Sequence, residues 1–102
     1  MPYAPISELD REKYRELWRA VVFRAIEDLY IHAEKSNYSS NLAWFSLEND
    51  DFQTVCAFAE LDEQKIINIA KVWEETRDKK IVRLMMLKEK IVPPTDKDKF
   101  IG

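Results

Sequence analysis

The chain has 102 residues, of which 46% are hydrophobic and 34% are charged, and its net charge is −3. This composition excludes a disordered chain, because it supplies enough apolar material for a core, and the length fits one domain. The single glycine is Gly102, and no proline lies between Ile6 and Val92, so nothing in that stretch breaks a helix by backbone chemistry. We therefore predict an all-α fold: a small bundle of four to five helices, forming a single domain over residues 1–102.

The sequence carries no sign of export or of a membrane anchor. No apolar run approaches the roughly 18 residues of a spanning helix, and residues 1–5 lack the charged-then-apolar order of a signal peptide. A single cysteine, Cys56, excludes an intramolecular disulfide and fits a reducing compartment. We expect a soluble cytoplasmic protein with no membrane contact.

The first half of the chain predicts one long helix. Residues 1–6 should form an extended arm, and Ser7 should cap a helix over 8–35. Its apolar residues recur at the helical spacing of three and four: Leu17, Trp18, Val21, Val22, Ala25, Ile26, Leu29, Tyr30 and Ala33. Acidic and basic residues at i, i+3 predict mutually neutralising pairs on a solvated face: Glu8, Glu12 and Glu16 with Arg11, Arg15 and Arg19.

The middle of the chain predicts short elements. Residues 36–41 are rich in Ser and Asn and predict a loop, and residues 42–47 predict a short buried helix. Asp50, with Gln53 three positions on, predicts the start of a helix near 51–60. Its apolar stripe is Phe52, Val55, Cys56 and Ala59. A tight turn at Leu61-Asp62 follows, with Asp62 as the next N-cap.

The last third predicts helix as far as Pro93-Pro94, which should end it. Ile66, Ile69, Ala70 and Trp73 have helical spacing, but residues 74–80 contain no apolar side chain. The sequence leaves open whether the helix over 63–91 is continuous or broken there. Residues 93–102 are expected to form a loose charged tail. The tryptophans Trp18, Trp44 and Trp73 are expected to anchor the core.

Residue types for catalysis are scarce. His32 is the one histidine and has no second histidine or cysteine at metal-ligand spacing, although Asp28 lies one turn before it. Cys56 lies in an apolar stripe near Asp50 and Asp51, a setting that raises a thiol pKa. No glycine-rich loop is present to hold phosphate. We therefore expect no enzyme activity, no metal, no cofactor and no small-molecule substrate.

Two surfaces are candidate binding sites, and the function we favour from the sequence is that of the first, a non-enzymatic DNA-binding regulator. The helices near 51–60 and from 63 onward have helix-turn-helix spacing, and the second helix would present Gln64, Lys65, Asn68 and Lys71 to double-stranded DNA. Against this, Glu60 stands where such turns often carry glycine, and Asp62 and Glu63 bring negative charge to the leading end of that helix.

The alternative is a protein-protein interaction module or inhibitor. The last helix has more apolar residues than one face can bury, so the candidate partner-binding residues are Ile81, Leu84, Met85, Leu87 and Ile91. The partner would be another protein or a second copy, giving an oligomer through this helix. If the helix is instead central to the bundle, the same residues are core.

Several residues of the middle segment also carry a family resemblance. Trp44-Phe45, Asp51-Phe52, Val55-Cys56, Ala59 and Leu61-Asp62 resemble a segment of small phage- and prophage-encoded bacterial proteins. The resemblance covers about residues 18–66 and departs at Glu60, where that family has glycine. It implies a phage-type accessory protein with a helix-turn-helix-like centre, and it implies no activity.

Overall fold

A computed structural model describes residues 8–92 of the chain. Five helices follow one another: α1 (Glu8–Ile31), α2 (Tyr38–Ala43), α3 (Asp50–Ala59), α4 (Glu63–Thr76) and α5 (Lys79–Lys88). No strand occurs within residues 8–92. The predicted all-α bundle of four to five helices is confirmed. The N-terminal arm over 1–6, the cap at Ser7 and the tail over 93–102 lie outside the described residues.

One apolar cluster joins the helices. α1 packs mainly against α3, and α4 packs mainly against α5, while α1 also contacts α2 and α4. The largest side chains that are less than 2% exposed are Phe52, Ile26, Leu29, Ile66, Ile69, Met86, Ile91, Val22 and Val82. Burying such a side chain contributes about 1.5–3 kcal/mol, so this cluster is the main source of the bundle's stability.

The predicted long helix is shorter than 8–35 and buries a narrower face than expected. α1 ends at Ile31, and turns over 32–37 lead into α2. Val22 and Ile26 are 0% exposed, whereas Leu17 is 59% exposed and Val21 is 39% exposed. Successive residues on a helix are about 100° apart, so a stripe that includes both Val21 and Val22 spans two faces. Only one of those faces meets the core.

The short elements between α1 and α3 are shifted from their predicted places. α2 occupies 38–43, so it begins inside the loop predicted over 36–41, and the helix predicted over 42–47 ends at residue 43 and gives way to turn and bend. Trp44 leaves the helix so that its indole N–H donates to Asp51 at 2.7 Å and its ring packs edge-on against Phe45 and Phe52. These contacts with α3 decide where the helix ends, and a local pattern does not contain them.

The cap of α3 is also one residue earlier than predicted. Asn49 has extended backbone angles, and its side-chain oxygen accepts from the Phe52 N–H at 3.1 Å, while Asp50 is already helical. Gln53 donates to the Leu47 carbonyl instead of forming a capping box. The prediction of Asp62 as the N-cap of α4 is correct: its carboxylate accepts from Gln64 and Lys65 N–H groups at 2.8 and 3.3 Å.

The helix predicted over 63–91 is not continuous: it breaks within residues 74–80, between α4 and α5. Arg77 has a left-handed backbone (φ 52°), and Asp78 caps α5 by accepting from the Lys80 N–H at 2.9 Å. α5 ends at Lys88, before Pro93 is reached, and Lys90 is left-handed (φ 60°). The Ile91 N–H then donates to the Met86 carbonyl at 2.8 Å. This Schellman motif turns the Ile91 side chain into the core, where it is 1% exposed.

Candidate interaction surfaces

The turn between α3 and α4, where the sequence predicts a helix-turn-helix-like feature, is closed without glycine. Glu60 is left-handed (φ 55°, ψ 48°), and the Leu61 N–H donates to the Cys56 carbonyl at 2.9 Å, as in a Schellman motif. A residue with a Cβ adopts this conformation at a cost of about 1 kcal/mol relative to glycine. Contacts made elsewhere in the fold must therefore offset the cost at Glu60.

Those contacts come from the arginines of α1. Arg11 and Arg15 each form an ion pair with the Glu60 carboxylate at 3.4 Å. The predicted pairing of Arg15 with Glu12 in the same helix is therefore wrong, while the pair predicted for Arg11 involves the Glu8 side chain, which lies outside the described part of the chain. Arg11 and Arg15 reach across to the α3–α4 turn because α1 lies directly on α3.

Arg19 was predicted to lie on the solvated face of α1, but the structure places it against the ends of two other helices. Its Nε donates to the Ala59 carbonyl at 2.8 Å and its Nη2 to the Glu60 carbonyl at 3.2 Å. Its Nη1 reaches the carbonyls of Glu89 at 3.3 Å and Lys90 at 3.5 Å. Burial, and then the charge of Arg15, lower the pKa of the guanidinium from its ordinary value. One side chain thus caps the C-terminal ends of both α3 and α5.

A signal for Arg19 was present in the sequence. It stands three and seven residues before Val22 and Ile26, in line with the buried face of α1. A charged residue at a core-facing position of a helix indicates a specific acceptor, because a buried charge needs hydrogen bonds. Arg19 is a structural clamp, and it aligns the turn that precedes α4.

The proposed DNA-reading residues share one exposed face of α4. Gln64, Lys65, Asn68 and Lys71 are all exposed. Gln64 donates to the Asn68 side chain at 3.1 Å, and Lys65 lies 3.8 Å from the Glu89 carboxylate. The N–H groups at the start of α4 are occupied by the Asp62 carboxylate, so they are not open to a phosphate.

α5 presents an apolar outer face. Leu84 is 66% exposed, Leu87 is 59% exposed and Ile81 is 40% exposed, while Met85 is partly buried. Ile91 is buried in the core, so its prediction as a partner-binding residue is wrong. The alternative of a helix covered on all sides is wrong within residues 8–92, because only Val82 and Met86 of α5 are buried.

The charged residues within α5 itself all have one sign. α5 contains four basic residues and no acidic one: Lys79, Lys80, Arg83 and Lys88. Between α4 and α5 lies a shallow groove of about 270 Å³, whose lining includes Lys65, Met85 and Lys88 together with the acidic Glu89. We call the exposed side chains of Ile81, Leu84 and Leu87, with the four basic residues, the α5 face. It combines apolar area with positive charge.

A second apolar surface lies on α1 and α3, and the sequence analysis did not predict it. Tyr14, Trp18 and Phe58 contact one another with ring centroids 5.2–6.1 Å apart. Tyr14 is 49% exposed and Phe58 is 43% exposed, and Leu17 and Val21 continue the surface along α1. These five residues form what we call the α1–α3 patch. Trp18 anchors this patch and is only partly buried, whereas Trp73 lies in the core.

Cys56 and His32, the residues considered as a nucleophile and as a metal ligand, have neighbours that do not form a reactive site. Burial, followed by the charges of Glu63 and Asp62, raises the pKa of the Cys56 thiol to about 12. The acidic neighbours are therefore those of α4 and its cap, and not the predicted Asp50 and Asp51. The His32 Nε2 lies 3.9 Å from Asp28, as the i, i+4 spacing predicted. Over residues 8–92, no three side chains of metal-binding type come together.

Comparisons with protein-family models, with curated proteins and with solved structures each return no match. Among the described helices, none combines the length and the apolar character needed to cross a bilayer. Function is therefore inferred from the exposed side chains of α1, α3, α4 and α5.

Proposed function

We propose that this chain is a non-enzymatic protein-binding module that uses the α5 face. The observation that carries the proposal is the exposure of Leu84, Leu87 and Ile81 on one short helix. Large apolar side chains placed side by side on a small domain mark an interaction site more often than isolated ones do. Covering these three would contribute a few kcal/mol, at about 25 cal/mol for each Å² of apolar surface removed from water.

The charges specify the chemistry of the partner. Lys80 and Arg83 flank Leu84, and Lys88 follows Leu87, so a groove that accepts this helix needs an apolar floor and acidic rims. Amphipathic helices bind such grooves through side chains at spacing i, i+3 and i+7, and Leu84 and Leu87 have the first of these. Opposite charges would also speed the encounter of the two proteins at low salt.

DNA binding through α4 is the second candidate. It is favoured by the exposure of Gln64, Asn68 and Lys71 on one helix face after a tight turn. It is disfavoured by the Glu63 charge in the first turn of α4 and by the ion pair that engages Lys65. Either role suits a phage-type accessory protein, which the resemblance implies. The α5 face is the better supported of the two, since nothing among the described residues covers it.

The α5 proposal is tested by capture from a bacterial cell extract with three versions of the chain. Leu84→Asp removes the centre of the face, and Lys71→Ala is the matched control on α4. We expect a protein that the unmodified chain and the control retain equally and that Leu84→Asp loses at least tenfold. Calorimetry with that purified protein should reproduce the ranking. A set of captured proteins that does not change with Leu84→Asp would overturn the proposal.

The DNA candidate has its own measurement. Fluorescence anisotropy with a mixed-sequence 20-base-pair duplex at 50 mM and 200 mM salt should show binding that weakens steeply with salt. Lys71→Ala should weaken it for all sequences and reduce the salt slope by about one. If the duplex is not bound at 50 mM salt, the candidate is wrong.

A further inference from the structure

We propose that the partner engages this protein with an acidic amphipathic helix, which lies in the groove between α4 and α5. This mode of binding rests on the proposed function, because it is the way in which the partner covers the α5 face. It adds one wall of α4 to that face, so Asn68 contacts a protein. The groove is lined by Lys65, Asn68 and Ile69 of α4, and by Met85, Lys88 and Glu89 at the end of α5.

The shape of the groove fits a third helix. Lys65, in the first turn of α4, lies 3.8 Å from Glu89, which directly follows α5, so the two helices run in opposite directions. On each wall the lining residues recur at a spacing of three and four, which places them along one helix face. Two helices side by side leave a depression between their ridges, and the side-chain ridges of another helix fill it. An antiparallel pair therefore accepts a third helix, as in a small bundle.

The apolar floor of the groove is continuous with the α5 face. Ile69 is 1% exposed beneath the groove, and Met85 is partly buried. Ile81 lies one turn before Met85, and Leu84 lies one turn before Lys88, so both extend the α5 wall toward the start of that helix. Ile81 is 40% exposed and Leu84 is 66% exposed. A helix in the groove would cover these apolar side chains together, which is the way an amphipathic helix binds.

The charges of the groove favour an acidic occupant. Among the described residues, Lys88 forms no ion pair, and Lys65 forms one with Glu89 while its side chain stays 59% exposed. Glu89 is the acidic residue of the lining, and its side chain is only 21% exposed. A carboxylate on the incoming helix would reach Lys88 and compete with Glu89 for Lys65, and such charge-assisted contacts are strong. A basic helix would meet the same two lysines and be repelled.

The α4 residues that were predicted to read DNA divide between the groove and the outer surface. Lys65 and Asn68 line the groove, whereas Gln64 and Lys71 do not. Gln64 lies one turn before Asn68 and donates to its side chain at 3.1 Å. A duplex on the exposed face of α4 would contact both amides. A helix in the groove contacts Asn68 and leaves Gln64 at its edge, so these two residues separate the two kinds of partner.

The probe is a fluorescein-labelled synthetic peptide of about 18 residues, long enough to form part of its helix alone. Leucines occupy one face of this peptide, and glutamates flank them. Fluorescence anisotropy with the full chain should give a Kd of about 1–100 μM. A peptide with lysines in place of the glutamates, and one with the same residues in shuffled order, should each bind at least about tenfold more weakly. An acidic peptide that does not bind at a chain concentration of about 1 mM overturns the proposal.

Four substitutions locate the peptide. Asn68→Glu adds one negative charge inside the groove, and Gln64→Glu adds the same charge to the same helix outside it, so the two are a matched pair. Asn68→Glu should raise the Kd of the acidic peptide about tenfold or more, and Gln64→Glu by less than about threefold. Lys88→Glu should lose the acidic peptide and gain the lysine peptide, whereas Glu89→Gln should bind the acidic peptide more tightly. Equal effects of Asn68→Glu and Gln64→Glu would show that the groove is not the site.

Circular dichroism of each variant shows that it is folded, so lost binding is separated from lost structure. The same variants enter the capture experiment beside Leu84→Asp. If Leu84→Asp loses the captured protein while Asn68→Glu and Gln64→Glu keep it equally, the α5 face binds a partner and the groove proposal alone fails. If Leu84→Asp loses nothing, both proposals fail. A duplex that Asn68→Glu and Gln64→Glu weaken equally, with no binding of the acidic peptide, would assign this face of α4 to DNA and overturn the groove.

Discussion

Replacing Arg19 with methionine should destabilise the whole bundle, although the residue lies on the first helix and far in sequence from its acceptors. The guanidinium donates to carbonyls of Ala59 and Glu60 at the end of α3 and reaches those of Glu89 and Lys90 at the end of α5. Methionine keeps the length and the helix propensity of the side chain. It removes the charge and all the donors.

The magnitude follows from the bond lengths. The bonds at 2.8 and 3.2 Å have good geometry, and each is worth about 1.5 kcal/mol, the lower end of the range for a charged donor, because the site is partly solvated. The contacts at 3.3 and 3.5 Å are long, and we assign them little. The expected loss is about 3 kcal/mol, or a fall in Tm of roughly 10–20 °C for a chain of this size. Arg19→Lys keeps the charge but loses the planar fork, so it should lose about half as much.

Urea denaturation followed by far-ultraviolet circular dichroism measures both variants. One low protein concentration is used throughout, because self-association adds to the apparent stability. Arg83→Met is the matched control: Arg83 is exposed and lies 6.0 Å over the Tyr30 ring, at the outer limit of such a contact, so its loss should change the unfolding free energy by about 0.5 kcal/mol. The clamp is refuted if the unfolding free energy of Arg19→Met stays within about 1 kcal/mol of that of the unmodified chain. It is also refuted if Arg19→Lys loses as much stability as Arg19→Met.

Two further predictions concern the α3–α4 turn and the buried thiol. Glu60→Gly and Glu60→Ala both lose the ion pairs to α1, so the difference between the two variants isolates the effect of the left-handed backbone. The free energy of unfolding of the glycine variant should be about 1 kcal/mol higher than that of the alanine variant. Equal denaturation midpoints for the two variants would contradict this. Because folding raises the pKa of Cys56 from its ordinary 9.0 to about 12, the stability it contributes is present below pH 9 and is lost as the pH rises through 12. At pH 8 about a thousandfold fewer thiolates should exist in the folded chain than in the unfolded one, and a thiol reagent that labels both at similar rates would exclude such burial.

The α4–α5 region shows which predictions local chemistry supports. Asp62 was predicted as an N-cap from residue type and from the apolar spacing that begins at Ile66, and the structure places it there. Capping depends on a side chain and the N–H groups two or three residues on, so a short window contains the whole interaction. The break between α4 and α5 was only located to 74–80. Its position depends on Asp78 and on the left-handed Arg77, for which several neighbouring residues would serve equally well by type.

Contacts between distant segments account for the predictions that the structure corrects. α2 lies where a loop was predicted, because Trp44 and Phe45 pack against Phe52 instead of continuing the helix. Arg11 and Arg15 pair with Glu60, which is 45–49 residues away, although glutamates of suitable spacing lie within α1. A spacing rule identifies every partner that is near in sequence. It contains nothing about partners that folding brings near.

The sequence by itself determined the class of fold, since an interior free of glycine and proline with helical apolar spacing leaves few other choices. The tertiary structure alone decided which apolar residues stay at the surface. Leu17 and Leu84 are exposed while Val22 and Ile91 are buried, although all four are equally apolar in the sequence. The reason is physical: helical period fixes the angle between side chains, but only the neighbouring helices determine which angle is covered. The α5 face and the α1–α3 patch are the faces that no described helix covers.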